Sequence, residues 1–449
     1  MYCTVAVNLR FEFLYKEINP KDTLRLTRRF ADFGLLLLKI VDQGFFVVKK
    51  GMLMKTTVCV VLLLSIISCI VFSAEPSKTS LQAPVQQDRK LVIVTIDGLR
   101  WQEVFKGADP KLVKNESFVQ NIEYTKARFW DESSEIRRLK LMPFLTKVIN
   151  IKGTIIGDRS AGSFMSATNQ QYFSYPGYNE IFTGRTDPEL TSNAKIPNPN
   201  ITFLEWLNNK PRYKNKIGIF SGWDVFPLIY NRQRSGLFIN AGFEPFTLPN
   251  QAALEQQELK QISVMNSLQA EIPSPWQNVR HDAFTFGFAK FYLQHQKPTI
   301  LVVNFGETDD FAHNGKYDAY LDSAHQTDAY LEDMWLTLQG MPDYKDNTNL
   351  LIITDHGRGS NENDWQHHAS AQAVRNYMQN LDTFKDGIVG SKHIWFAAMG
   401  PDIKAQGLLV SEHEKSQSQF AATALALLGR QIADFSDKSS PILKDVIHE

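Results

Sequence analysis

Five short runs of apolar, largely β-branched residues constrain this chain more than any other feature. They are KLVIVTIDG (90–98), KIGIFSG (216–222), TILVVNFGETD (299–309), NLLIITDHG (349–357) and HIWFAAMGP (393–401). Their apolar character is continuous, not alternating, which predicts strands buried on both faces. Helical periodicity occupies the stretches between them, at ITFLEWLNN (201–209), DAFTFGFAKFYLQHQ (282–296), DAYLDSAHQTDAYLEDMWLTLQ (318–339) and SQFAATALALLG (418–429). The first of these opens with Thr202 and Glu205 at the spacing of a capping box. Strands alternating with helices predict an α/β fold, a three-layer α/β/α sandwich around a largely parallel sheet. The 223–280 region lacks this regularity and leaves room for a small cap or insertion.

The first 88 residues belong to a different kind of sequence. Lys55 is followed by TTVCVVLLLSIISCIVFS, eighteen residues without a charge, and then by a Ser/Gln/Pro-rich stretch. A basic start, an apolar run and small residues before a polar linker form a secretory signal. Cleavage after Ser73 would place Val71 and Ser73 at the two recognition positions, whereas Ile66-Ile67-Ser68-Cys69 resembles a lipobox with Cys69 as the lipidated residue. Eighteen apolar residues also sit at the lower limit for a membrane span. Met52 and Met54 stand where such a signal would start, so residues 1–51 read as an upstream extension, 52–74 as the signal, 75–88 as a linker and 89–449 as the folded domain. The expectation is an exported protein, periplasmic or lipid-anchored, which meets a membrane only through this N-terminus.

All three cysteines lie at or before Cys69, so the main domain is compatible with an oxidising compartment. The chain has 48 basic and 48 acidic side chains, and no basic stripe that would suit a nucleic acid.

Three of the strand-like runs end in acids: Asp97, Asp309 and Asp355. Ligands of open α/β sheets bind at the carboxyl ends of strands. Two of these acids have histidines nearby, since His313 follows Asp309 by four residues and His356 follows Asp355 directly. His367 and His368 come later, in DWQHHAS. Carboxylate and imidazole together suit zinc or a similar divalent ion, manganese included. In FSYPGYNEIFTG, Ser174 stands before Tyr-Pro-Gly, in what reads as a turn that holds its hydroxyl outward.

Taken in order, VTIDGLR, FSYPGYNEIFTG, GETDDFAHNG, ITDHGRG and DWQHHAS resemble the alkaline phosphatase superfamily. The match is to its nucleotide pyrophosphatase and type I phosphodiesterase branch, and it runs from about Lys90 to Gly429. The resemblance implies two divalent metal ions. Asp97, Asp355 and His356 would hold one of them with Ser174, the nucleophile. Asp309, His313 and a late histidine would hold the other, and the family spacing from Trp365 selects His368 over His367. A covalent phospho-serine would form and then be hydrolysed. An asparagine some twenty residues after the nucleophile binds a phosphate oxygen in such relatives, which points to Asn193 or Asn198. Lys195 lies in the same stretch, and Trp101, Tyr178 and Trp223 are aromatic candidates for stacking on substrate.

Two features depart from relatives. Serine replaces the usual threonine of the pyrophosphatases, and Tyr178 stands where a sulfatase would need arginine. The implied activity is hydrolysis of a small phosphodiester. Phosphomonoester hydrolysis, phosphoryl or phosphoglycerol transfer, and a silent metal-binding module are the alternatives.

Overall fold

The buried runs become the middle of one eight-stranded sheet in a computed structural model that describes residues 88–251 and 254–448. The strands are β1 (Lys90–Ile96), β2 (Gly153–Ile156), β3 (Met165–Ser166), β4 (Ile217–Ser221), β5 (Phe238–Ala241), β6 (Ile300–Phe305), β7 (Thr348–Ile353), β8 (Phe396–Met399), β9 (Gly407–Leu408) and β10 (Lys415–Ser416). The sheet order is β5-β4-β6-β1-β7-β8-β2-β9, while β3 and β10 form a separate two-residue ladder. All pairings in the main sheet are parallel except those of β8, which runs against both β7 and β2. The signal, lipidation and upstream-extension readings lie outside the described residues. Among the described residues no helix is long and apolar enough to cross a membrane.

Side-chain alternation along each strand divides the core in two. On one face Val92, Val94 and Ile96 of β1 pack with Leu301, Val303 and Phe305 of β6 and with Leu350 and Ile352 of β7. On the other face lie Leu91 and Ile93, Ile300 and Val302, Leu351 and Ile353. Each face needs apolar side chains, which is why the runs are continuous.

Helices cover both faces. Those that shape the site are α1 (Trp101–Lys106), α2 (Ser174–Thr183), α3 (Phe203–Asn208), α4 (Gln256–Glu271), α5 (Asp282–Gln296), α6 (Glu307–His313), α7 (Tyr317–Gly340) and α8 (Gln419–Leu427). Phe288 of α5 and Tyr320 and Leu331 of α7 join the first core. Ile181 and Phe182 of α2, Phe203 of α3 and Phe420 of α8 join the second. The outcome is the expected three-layer α/β/α architecture.

Two local details differ from the sequence expectation. Only half of the capping box forms: Thr202 Oγ1 accepts from the Glu205 amide at 3.1 Å, but the Glu205 carboxylate turns to Arg234 at 2.7 and 2.8 Å. A guanidinium fork offers a carboxylate two charged donors, which outcompete one backbone amide. Within 223–280, β5 adds an edge strand to the main sheet and α4 follows it. A four-residue strand carrying an asparagine gives too short an apolar run to stand out in sequence.

One buried acid ties the segment at residues 144–145 to this frame. Asp328 of α7 accepts hydrogen bonds from the Phe144 and Leu145 amides at 2.7 and 2.9 Å. Burial pushes its pKa up to about 7 against the opposing pull of those amides. The folded chain then keeps this proton after the unfolded chain has lost it. That contribution to stability is full below the ordinary carboxylate value of about 4 and is lost as pH rises to about 7. Thermal melts of wild type and Asp328→Asn across pH 4–7.5 should show a steeper fall for wild type; parallel curves would refute this assignment.

Candidate metal centre

Adjacent strands β6, β1 and β7 deliver the three acids to one place. Asp97 directly follows β1, Asp355 lies two residues beyond β7, and Asp309 sits in the first turn of α6 just beyond β6. His356 Nε2 stands 3.3 Å from Asp97 Oδ1, 3.4 Å from Asp355 Oδ2 and 3.8 Å from Asp309 Oδ1. His368 Nε2 is 3.7 Å from Asp309 Oδ1, and its ring stacks on His356 with centroids 3.7 Å apart. His313 joins through Asp309 Oδ2 at 3.3 Å and His368 Nε2 at 3.0 Å.

Two groups of ligating atoms result: Asp97, Asp355 and His356, and Asp309, His356 and His368. The first is the set expected from the sequence. The second has His356 with Asp309 and His368, where the sequence reading had His313, so the two groups share an imidazole and His313 stands beside them.

Hydrogen bonds preset both imidazoles. His356 Nδ1 pairs with the Gly357 carbonyl and His368 Nδ1 with the Tyr172 carbonyl, each at 2.9 Å. A carbonyl can only accept, so Nδ1 carries the proton and the Nε2 lone pair faces the acids in the neutral ring.

The acids themselves call for a cation. Asp355 Oδ2 is fully buried and accepts no hydrogen bond. Burial and neighbouring charge raise the pKa of both Asp97 and Asp355. Burial would lower that of His356, but Asp355, Asp97 and Asp309 outweigh it and hold the imidazole at about 9. Burial likewise opposes ionisation of Asp309, yet His313 and Arg358 keep it well below the usual carboxylate range. A divalent ion answers the same repulsion as a proton on His356, with oxygen and nitrogen donors that suit it. The residues fit the group.

Ser174 lies at the first position of α2, after the extended Phe173, and not in a turn. Pro176 fits because first-turn amides have no intrahelical acceptor to lose. Gly177 fits because a Cβ there would stand 2.6 Å from the Asp355 carbonyl oxygen. The helix can therefore slide its N-terminus against β7 and bring Ser174 Oγ to 3.4 Å from His356 Nε2 and 3.5 Å from Asp97 Oδ1. The partial positive charge at this N-terminus favours an oxyanion at Oγ and a phosphate beside it.

The remaining expectations separate cleanly. Asn193 lines the cavity at the cluster, with Oδ1 accepting from the Tyr175 amide at 2.9 Å. Asn198 is buried elsewhere, bonded to Asn179 and the Ile229 carbonyl. His367 turns away and packs on Phe384, which leaves His368 in the cluster. Lys195 pairs with Asp224 at 2.6 Å. Tyr178 donates its hydroxyl to Asp97 Oδ2 at 3.0 Å and is fully buried, so it orients a carboxylate and stacks on no substrate. Trp101 packs against the core, whereas Trp223 lines the cavity.

Sequence reasoning missed three supports. Arg358 is buried and donates to Asp309 Oδ1, to the Trp365 carbonyl at 3.1 Å and to the Gln366 carbonyl, coupling α6 to the segment that carries His368. Its only sequence signal is its place two residues after His356. Asp282 accepts from the Gly306 and Glu307 amides at 3.0 Å each and so caps α6 from another helix. Gly98 has φ +58°, and a Cβ there would meet Asp309 Oδ1 at 2.6 Å. The cavity itself, ≈ 190 Å³, takes in Ser174, Asp97, Asp309 and His313 together with Asn193, Trp223, Asn278 and Asp310.

Residues 174–423 match the family model of type I phosphodiesterase / nucleotide pyrophosphatase. A search of curated proteins gave no significant match. Among solved structures, the wild-type alkaline phosphatase PafA is 13% identical with a TM-score of 0.47, over 80% of this chain and 99% of that one. A putative sulfatase from Bacteroides thetaiotaomicron VPI-5482 is 13% identical with a TM-score of 0.45, over 80% and 74%. The lipoteichoic acid synthase LtaP from Listeria monocytogenes is 9% identical with a TM-score of 0.43, over 80% and 74%.

Elemental analysis of purified variants tests the ligand geometry. His368→Ala should lose at least one bound metal ion per chain, while His367→Ala should keep the wild-type content; equal losses would refute the choice. Gly177→Ala should lower both metal content and any turnover, by about tenfold or more, because its methyl must displace Asp355 or α2.

Proposed function

The chain belongs to the type I phosphodiesterase / nucleotide pyrophosphatase family, and from that membership we propose that it is a two-metal phosphodiesterase working through a phospho-serine. The observation that carries the reading is Ser174 Oγ, placed at a helix N-terminus within 3.5 Å of two ligand side chains and open to the cavity. Asp97, Asp355 and His356, with Ser174, would hold one ion, and Asp309, His313 and His368 the other. Zinc suits this donor set best. Bound there, two divalent ions would offset the carboxylates, acidify the serine hydroxyl and polarise the phosphoryl oxygens.

The protein's own residues do the rest. Ser174 Oγ gives up its proton and forms a bond to phosphorus as the bond to the departing alcohol oxygen breaks, and that oxygen takes up a proton. Water then breaks the Ser174–phosphorus bond, releasing the phosphate monoester and restoring the hydroxyl. Asn193 fixes its carbonyl end on the Tyr175 amide, so its NH₂ is the end free to donate to a phosphoryl oxygen.

A diester is preferred over a monoester because no Lys or Arg is among the described residues that line the cavity. A monoester dianion carries one more charge to hold. Export is proposed on the residues 55–73 alone.

Purified, zinc-loaded enzyme assayed on bis(4-nitrophenyl) phosphate and on 4-nitrophenyl phosphate should favour the diester. Ser174→Ala should lower that turnover by about 10³-fold or more with metal content retained. A faster rate on the monoester would make the protein a phosphomonoesterase. Product appearing on an added alcohol instead of water would make it a transferase, and full metal without Ser174-dependent turnover would end the enzymatic reading.

A further inference from the structure

The short loop ahead of the nucleophile is held by a buried acid that the reaction does not use. Gln170 and Tyr172 have φ of +61° and +58°, left-handed conformations that L side chains rarely adopt. Such residues persist only where the surroundings over-determine the backbone, and such strain gathers at functional sites.

What holds this loop is Glu180, fully buried on α2. Its Oε1 accepts from Thr168 Oγ1 at 2.6 Å, and its two oxygens share the Thr168 amide at 3.2 and 3.0 Å. Oε2 also accepts from Asn169 Nδ2 at 3.0 Å. That contact orients Asn169 so that its Oδ1 receives the Gln171 and Tyr172 amides at 3.0 and 2.9 Å. The Tyr172 carbonyl then meets His368 Nδ1 at 2.9 Å, and the Gln171 carbonyl takes the Ser370 amide at 3.0 Å.

Resting on the two-ion reading of the cluster, we propose that Glu180 is a positioning residue for the metal centre, acting through Asn169 and Tyr172 on the tautomer and direction of His368. A metal-ligating imidazole depends on the acceptor at its other nitrogen, because that acceptor decides which nitrogen keeps the proton. Without the Tyr172 carbonyl in place, His368 can carry its proton on Nε2, where a ligand needs a lone pair. Burial works against the Glu180 carboxylate and raises its pKa, with the hydrogen bonds from Thr168 and Asn169 opposing. Its helix neighbours Ile181 and Phe182 belong to the apolar core. An apolar residue at 180 would avoid the cost of burial but would leave the Thr168 amide, the Thr168 hydroxyl and the Asn169 amide group unanswered. The loop runs directly into Phe173 and Ser174, so one brace sets both the acceptor behind a ligand and the approach to the nucleophile.

Long-range ¹H–¹⁵N spectra of the metal-free protein at pH 8 read the proton position on His368, with His368→Ala identifying the signal. Wild type should show the proton on Nδ1, and Glu180→Leu should move it wholly or partly to Nε2. Chelator-competition titration with zinc should show one of the two ions bound roughly 10–100-fold more weakly in Glu180→Leu, with the other unchanged. Glu180→Gln keeps an acceptor oxygen and should lose less at that ion. Asn169→Ala removes the link itself, should match Glu180→Leu in both readouts, and stands in for it should that variant fail to fold. A proton that stays on Nδ1 in the folded variant would overturn the proposal. Equal weakening of both ions would overturn it too, since that marks a general loss of structure. If wild type binds no zinc, the two-ion reading fails and the spectra alone decide whether Glu180 sets His368.

Discussion

Mutual repulsion among Asp97, Asp309 and Asp355 is the constraint around which this fold is organised. Three adjacent parallel strands, β6, β1 and β7, bring these side chains to one edge of the sheet, around His356. Burying like charges together costs several kcal/mol for each ion unless something answers the charge. The surroundings supply many partial answers: the Tyr178 hydroxyl on Asp97, the Gly98 amide on Asp355 at 3.1 Å, and Arg358 on Asp309. None of them reaches Asp355 Oδ2, which stays buried and unbonded. A polar atom left in that state inside an otherwise well-paired site suits a cation, and Asp355 stands in one of the two groups of side chains that could hold one.

The same constraint explains features that look unrelated. Gly177 and Gly98 lack side chains because each lies where backbone or carboxylate must come within the volume a Cβ would fill. Asp282 caps α6 from a different helix, and Thr308 donates to the Asp97 carbonyl, so the segment that bears Asp309 is fixed to both β1 and α5. These contacts set where a carboxylate points, and misplacement by about an ångström is enough to cost a two-ion site much of its rate.

How much of this was legible in sequence follows from the range of each signal. The central strands could be read because burial on both faces demands an unbroken apolar run, a local property. The antiparallel β8 carries the same run, and its direction is decided by pairing with β7 and β2, which no local pattern records. Strands β2, β5 and β9 are short and have no such run. At the site, residue type and order placed Asp97, Ser174, Asp309, His313, Asp355, His356 and His368, and the structure brings all seven together. Choosing Asn193 over Asn198 required the fold, because both sit in one turn-rich loop and differ only in which way it folds. Arg358 was hidden because a single arginine after a histidine has no pattern, although its three acceptors come from two distant segments.

Arg358 and Asp310 form an instructive contrast. Both stand next to Asp309, but the arginine is fully buried with its donors held by the protein, while burial and the neighbouring Asp309, Asp97 and Asp282 raise the pKa of Asp310 well above the ordinary carboxylate value. A charge whose hydrogen bonds are all made inside the fold is explained by the fold. A carboxyl crowded by other carboxylates in a buried place holds its proton more readily, so its neighbours, and not its own hydrogen bonds, set its charge. Divalent ions at the cluster would answer the repulsion among Asp97, Asp309 and Asp355 directly, and that on Asp310 only at one remove.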